Sequence, residues 1–162
     1  MIPNREECFR LIKQRGMLEH IIDHSIEVAK VALFLSEELN QRGQRIDLAL
    51  VEAASLLHDL TKTECLKTKG DHAQTGSQLL KEMGYVRVGE VVAEHIQLSK
   101  EKDPFWVSEE EVVNYADKRV QHDRIVSLEE RFCDLMDRYG KGKKAFEQFE
   151  QLKKETFEIE YK

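Results

Sequence analysis

Residues 48–62 read Leu48-Ala49-Leu50-Val51-Glu52-Ala53-Ala54-Ser55-Leu56-Leu57-His58-Asp59-Leu60-Thr61-Lys62. Apolar and small residues fall on most sides of a helix drawn through this stretch, so the helix belongs in the middle of a domain. Asp47 stands where an N-cap is needed, which predicts a helix from Leu48 to about Leu60. Its final turn carries an imidazole and a carboxylate side by side. Successive helical residues point ~100° apart, yet His58 and Asp59 can converge on one ion near a helix end.

Two further polar residues interrupt apolar runs. His24 lies in a long helix expected from Leu18 to about Leu39, within the run Ile22 to Val31. Asp117 follows Val112 to Ala116 in a later helix. A buried carboxylate needs a partner, and one cation would satisfy His24, His58, Asp59 and Asp117 together. Imidazole and carboxylate donors suit iron, manganese, cobalt, nickel or zinc better than calcium. The alternative from spacing alone is four unrelated polar residues, with His24 hydrogen-bonded across a core.

The rest of the chain reads as helix and connection. Asn4 caps a short first helix ending near Gly16. Residues Thr61 to Gly70 form a polar connection, and Asp71 caps a helix from His72 to Met83, stopped by Gly84. Another helix is expected over Val88 to Leu98. Ser99 to Val107, with Pro104, Phe105 and Trp106, reads as a loop. Its aromatic pair stacks on a base or, as the commoner case, anchors the loop. Ser108 with Glu111, and Ser127 with Glu130, have capping-box spacing. The second of these helices ends near Gly140, and a charged helix follows from Lys143 to Glu155, with a loose tail after Thr156. No strand alternation stands out. The expected class is all-α, a compact multi-helix bundle in one domain over residues 1–162.

The 162 residues include 25 basic and 31 acidic ones, a formal net charge of −6. No global basic excess marks a nucleic-acid surface, and stable nucleic-acid binding is not expected. No apolar run approaches the ~18–20 residues of a membrane span, and the N-terminus lacks the pattern of a signal peptide. Cys8, Cys65 and Cys133 are far apart and unpaired by spacing, which fits a reducing cytoplasm. A chain of this size is compatible with a homo-oligomer.

The order His24, His58-Asp59, Asp117 resembles the signature of the HD superfamily of metal-dependent phosphohydrolases. His58-Asp59-Leu60-Thr61-Lys62 is similar to the His-Asp-Ile-Gly-Lys form of one large branch. His72-Ala73-x-x-Gly76, His95 and Tyr115-Ala116-Asp117 extend the likeness over about Leu18 to Arg131, and the helix after Lys143 lies outside it. Thr61 departs from the branch's glycine. Threonine resists left-handed backbone angles, so the tight turn is expected to be replaced by continued helical geometry.

The resemblance implies an all-helical fold with His24, His58, Asp59 and Asp117 as metal ligands. It further implies a second ion on His72 and His95, with Asp59 bridging. The alternative roles are substrate contact for His72 and proton donation by His95. Lys62 would neutralise a phosphate oxygen. Arg119 either reaches a phosphate or, as favoured, forms a structural ion pair. His20 is expected exposed or behind a ligand, and His122 on the far side of its helix. The implied cofactor is one or two divalent transition ions, iron or manganese first. The implied substrate is a small phosphorylated molecule: a nucleotide, or a dinucleoside polyphosphate as in some small members of the superfamily. A nucleotide-binding regulator or interaction module without turnover is the competing class.

Overall fold

A computed structural model describes residues 1–98, 103–139 and 142–160. Its elements run α1 (Arg5–Gln14), α2 (Glu19–Gln41), α3 (Leu48–Leu57), α4 (Lys62–Thr68), α5 (His72–Glu82), α6 (Val86–Ala93), α7 (Glu109–Lys118), β1 (Val120–Gln121), β2 (Arg124–Ile125), α8 (Leu128–Tyr139) and α9 (Lys143–Glu160). The fold is all-α, a compact bundle. Among the described residues, no helix is long and apolar enough to cross a membrane.

The helix that is apolar all round sits at the centre. In α3 every residue from Leu50 to Leu57 except Glu52 is buried. Helices α1, α2, α6 and α7 pack around it. Their buried residues, among them Cys8, Val28, Ala32, Val91, Val92 and Val113, join those of α3 in one core. A smaller cluster of Tyr115, Leu128 and Phe132 seats α8 and α9 beside α7. Helices α5 and α6 approach closely at Gly89, where a Cβ would meet the Ser77 carbonyl oxygen at 2.8 Å. Only glycine fits there without a backbone shift.

The expected caps form. Asn4 accepts from the Glu7 amide, Asp47 from Leu50, and Asp71 from Ala73 and Gln74. Ser108 and Glu111 make a reciprocal capping box, which satisfies two otherwise orphaned donors.

Several boundaries differ from the expectations. Helix α3 stops at Leu57, because residues 58–61 turn instead of continuing to Leu60. The presumed connection after Thr61 contains α4, a seven-residue helix whose one buried side chain is Cys65. So short an element with one inward residue shows no readable periodicity. Helix α6 spans Val86–Ala93, not Val88 to Leu98, and its last turn tightens: the amides of Glu94 and His95 bond to Val91 and Val92, three residues back. His95 therefore lies just beyond a helix, not inside one.

A two-stranded antiparallel hairpin, unforeseen in the pattern, pairs Val120 with Ile125 and Gln121 with Arg124. Its strands are too short to alternate visibly, and its turn holds His122 at φ 58°, the left-handed angle that such two-residue turns require. Helix α9 continues to Glu160, past the tail expected after Thr156. Residues 99–102 of the expected loop, and the helix end near Gly140, lie outside the described residues.

Candidate metal centre

Four helix ends and one hairpin bring the polar residues together. His24 comes from the second turn of α2, His58 caps the C-terminus of α3, and Asp59 follows it. His72 opens α5, His95 follows α6, and Asp117 stands near the end of α7. All but His72 are buried, and its side chain is 22 % exposed.

The helix ends explain how the imidazoles are aimed. The last carbonyls of a helix lack intrahelical partners. His58 Nδ1 donates to the Ser55 carbonyl at 2.6 Å, and His95 Nδ1 donates to the Val92 carbonyl at 2.7 Å. Both bonds reach three residues back. His24 Nδ1 donates to the carbonyl of His122 at 2.8 Å, which the hairpin's left-handed turn presents. A carbonyl only accepts, so each Nδ1 carries its proton and each Nε2 faces the centre. Backbone orientation of this kind recurs behind metal-binding histidines.

Asp59 stands between two groups. Its Oδ2 lies 3.2 Å from His58 Nε2 and 3.9 Å from His24 Nε2. Its Oδ1 lies 3.2 Å from His72 Nε2 and 3.5 Å from His95 Nε2. Asp117 Oδ1 closes the first group, 2.9 Å from His24 Nε2 and 3.3 Å from His58 Nε2. In the second group the Nε2 atoms of His72 and His95 are 3.2 Å apart. Donor atoms of His24, His58 and Asp59, and separately of Asp59, His72 and His95, are mutually close enough to hold one divalent ion each.

The donors fit a cation. His58 Nε2 is fully buried and makes no hydrogen bond, although two carboxylate oxygens flank it. A lone pair facing carboxylates is repelled unless a proton or a metal ion lies between. Burial disfavours the proton, but Asp59 and Asp117 outweigh it and hold the His58 pKa up to about 10. Burial likewise opposes charge on those two carboxylates. His58 nonetheless holds Asp59 well below the usual carboxylate range, and Lys118 with His24 and His58 does the same for Asp117. Burial pushes His95 down, toward its neutral, ligating form.

Comparison with known proteins follows the same residues. The HD domain model matches residues 21–141. The chain belongs to the HD-domain family. The superfamily in general carries out metal-dependent phosphohydrolysis, and the clustered His and Asp residues here are consistent with a metal-dependent hydrolase. The tRNA (cytidine(56)-2'-O)-methyltransferase of Picrophilus torridus is 31% identical over 152 residues, covering 85% of this chain and 41% of that protein. Ribonuclease Y of Petrotoga mobilis is 39% identical over 66 residues, 41% of this chain and 12% of that protein. Ribonuclease Y of Thermus thermophilus is 32% identical over 78 residues, 48% and 13%. The chain thus spans less than half the length of these relatives. No solved structure matches it.

Around the HD centre lie cations. Lys62 and Arg131 both line the cavities next to Asp59. Lys118 is buried and donates from Nζ to the His95 carbonyl at 3.0 Å and to Asp117 Oδ2 at 3.1 Å, tying the two groups together. The sequence sets Lys118 beside Asp117 as a cation near a phosphate site; its burial and its bond to the His95 carbonyl come from the packing of α7. Arg131 carried no signal, because a basic residue on an amphipathic helix is ordinary.

Thr61 stays out of the left-handed region (φ −103°, ψ 5°), but the helix does not continue through it as expected, since residues 58–61 form a turn. Its hydroxyl donates to the His72 carbonyl at 2.9 Å, so the residue that departs from the branch pattern braces a candidate ligand. Arg119 is structural as favoured, but its partners are neutral: the Val126 carbonyl and the Tyr115 hydroxyl. His122 is not remote, since its carbonyl orients His24. His20 is exposed and borders the site. Phe105 and Trp106 do not anchor their loop by burial, being 81% and 47% exposed. Gln44 holds that loop instead, by its amide bonds to Phe105 and Val107.

Proposed function

We propose that this chain hydrolyses a phosphate ester or anhydride of a nucleotide, with a dinucleoside polyphosphate as the leading specific substrate. The carrying observation is Asp59, whose two oxygens face different imidazole groups beside a cavity that Lys62, Lys118 and Arg131 also line. We assign His24, His58, Asp59 and Asp117 to one ion and Asp59, His72 and His95 to a second. The donor set suits iron or manganese first, then zinc, cobalt or nickel. Such ions, when bound, supply Lewis acidity toward a phosphoryl oxygen and lower the pKa of water.

The protein's own groups do the rest. Lys62 and Arg131 receive the phosphoryl oxygens and offset the charge that builds on them during in-line displacement. Lys118 holds Asp117 and the His95 backbone in register. His95 has Nδ1 committed to Val92 and Nε2 turned to Asp59, which favours ligation over proton donation. Buried walls around the donors exclude bulk water and strengthen each interaction.

The matched relatives bear names of enzymes acting on RNA, which favours, as a second reading, a phosphodiester of RNA. A screen of metal-loaded protein on nucleotides, dinucleoside polyphosphates and short RNAs separates the two. Turnover abolished by Asp59→Asn supports hydrolysis at this centre. No turnover by protein of verified metal content would replace both readings with a nucleotide-binding module.

A further inference from the structure

The cavity beside the second ligand group, about 310 Å³, is lined by two unlike sets of residues. One set is the candidate ligands with the cations Lys62, Lys118 and Arg131. The other lining side chains are Cys65, Leu66, Ile96, Phe132, Leu135 and Leu152. Among the described residues, this second set holds no carboxylate, amide or hydroxyl. One of its members comes from outside the family match, which ends at residue 141, whereas α9 begins at Lys143. Leu152, Thr156 and Ile159 share one face of α9 by their four- and three-residue spacing. Leu152, Phe157 and Ile159 pack against the cluster of Tyr115, Leu128 and Phe132. Thr156 is buried and donates to the Leu152 carbonyl at 2.8 Å, and Lys153 pairs with Glu129 of α8 at 3.2 Å. Helix α9 is thus seated on α7 and α8 by its own contacts, and it delivers a partly buried leucine to the cavity of the metal centre.

Resting on the nucleotide-hydrolase reading above, we propose that α9 is part of the active site. Leu152, with Leu135 of α8, forms a specificity-determining wall that takes the base of the substrate by apolar contact without reading which base it is. Pockets for organic ligands start at roughly 300 Å³, so this cavity has room for more than a phosphoryl group. The phosphoryl group belongs with the cations. A ring laid on the leucines removes apolar surface from water, which a bare sugar phosphate does not. Telling one base from another takes hydrogen-bonding groups matched to its edges. A site that has them rejects the wrong partner because its own polar groups are left unpaired. The apolar wall has no such side chain to leave unpaired. Selectivity is therefore for a ring over no ring, and weak among rings.

Calorimetry on manganese-loaded protein measures binding of the four ribonucleoside 5'-monophosphates and of ribose 5-phosphate, the same ester without a base. Turnover is followed on each compound as well. Wild type should hold each nucleotide about 30-fold more tightly than the sugar phosphate, with the four nucleotides within about fivefold of one another. Leu152→Ala should cut that margin about tenfold, in KM rather than kcat where turnover occurs, and Leu152→Met should restore it. A missing margin, one base favoured over the others by about 100-fold, or a margin that Leu152→Ala keeps overturns the proposal. Equal weakening of all five compounds, the mark of a merely structural leucine, overturns it too. Turnover without the margin leaves the hydrolase reading standing, and the margin without turnover removes that reading alone. If Leu152→Ala does not fold, Leu152→Gln, of similar length and helix propensity, decides in its place.

Discussion

The two ligand groups that share Asp59 are built differently. The first joins α2, the end of α3 and α7, helices packed directly on one another in the core, and each of its imidazoles is locked through Nδ1 to a carbonyl. The second draws His72 and His95 from the local pair α5 and α6, and His72 remains 22 % exposed. His95 is braced through Nδ1 to Val92 and at its carbonyl by Lys118, whereas the brace on His72 acts on its backbone, through Thr61. The same chemistry thus has a rigid half and a softer half. We expect the first group to bind its ion tightly and the second to bind more weakly and to depend on its supports.

The largest effect should come from the residue common to both. Asp59→Asn removes anionic bridging with little change of volume. It should cut metal content at both groups and lower turnover by ~100-fold or more, beyond what loss of an outer partner usually causes. Elemental analysis, turnover and circular dichroism together check it. Retained metal at both groups would break the idea of a shared carboxylate.

Lys118→Met comes next. It removes the cation that ties Asp117 to the His95 carbonyl, and should reduce activity by about 10- to 100-fold. It also leaves buried acceptors unmet, at a cost of about 1–3 kcal/mol. Unlike Asp59→Asn, it should retain the first ion. Equal loss at both groups would erase the distinction between them.

A smaller change, Thr61→Val, sharpens the comparison on the soft side alone. Losing one hydrogen bond to the His72 carbonyl costs about 1 kcal/mol. Affinity for the second ion should fall about tenfold, with the first untouched. Competitive chelation read separately for each ion gives the answer.

The mildest test is pH. With no metal bound, His58 has its pKa raised from an ordinary 6.5 to about 10 by Asp59 and Asp117, against its burial. A folded pKa above the unfolded one gives stability that is complete below about 6.5 and disappears as pH rises through about 10. The metal-free protein should therefore melt lower as pH climbs across that window, and the loaded protein should not. Capture of the first ion at pH 7 should release about one proton, measured by calorimetry in buffers of different ionisation enthalpy. No proton release would place the His58 proton elsewhere.

How much of this was legible follows from where the signals reside. His58-Asp59 stood out because ionisable residues ending an otherwise apolar helix are chemically anomalous. Asp117 and His24 are polar residues within apolar runs, the resemblance to the HD signature joins the four as one ligand set, and the apolar period of α2 and α3 carries the central packing. The apolar pattern puts His95 inside a helix, whereas α6 ends at Ala93. Ile96 and Leu98 continue an apolar pattern, while the tightened turn and the bond to Val92 that end the helix leave no mark in side-chain spacing. The carbonyls of Ser55, Val92 and His122 were invisible for a simpler reason, since backbone groups have no letter. Arg131 needed the third dimension, because only packing of α8 carries it to Asp59.

The central claim is that one carboxylate joins two ion sites of unequal strength. Metal counting on protein loaded with manganese tests it most directly, for wild type and for His72→Ala with His95→Ala. Two ions per chain in the wild type and one firmly held ion in the double variant is the predicted result. One ion in both would contradict the account, leaving His72 and His95 to contact substrate beside a mononuclear centre.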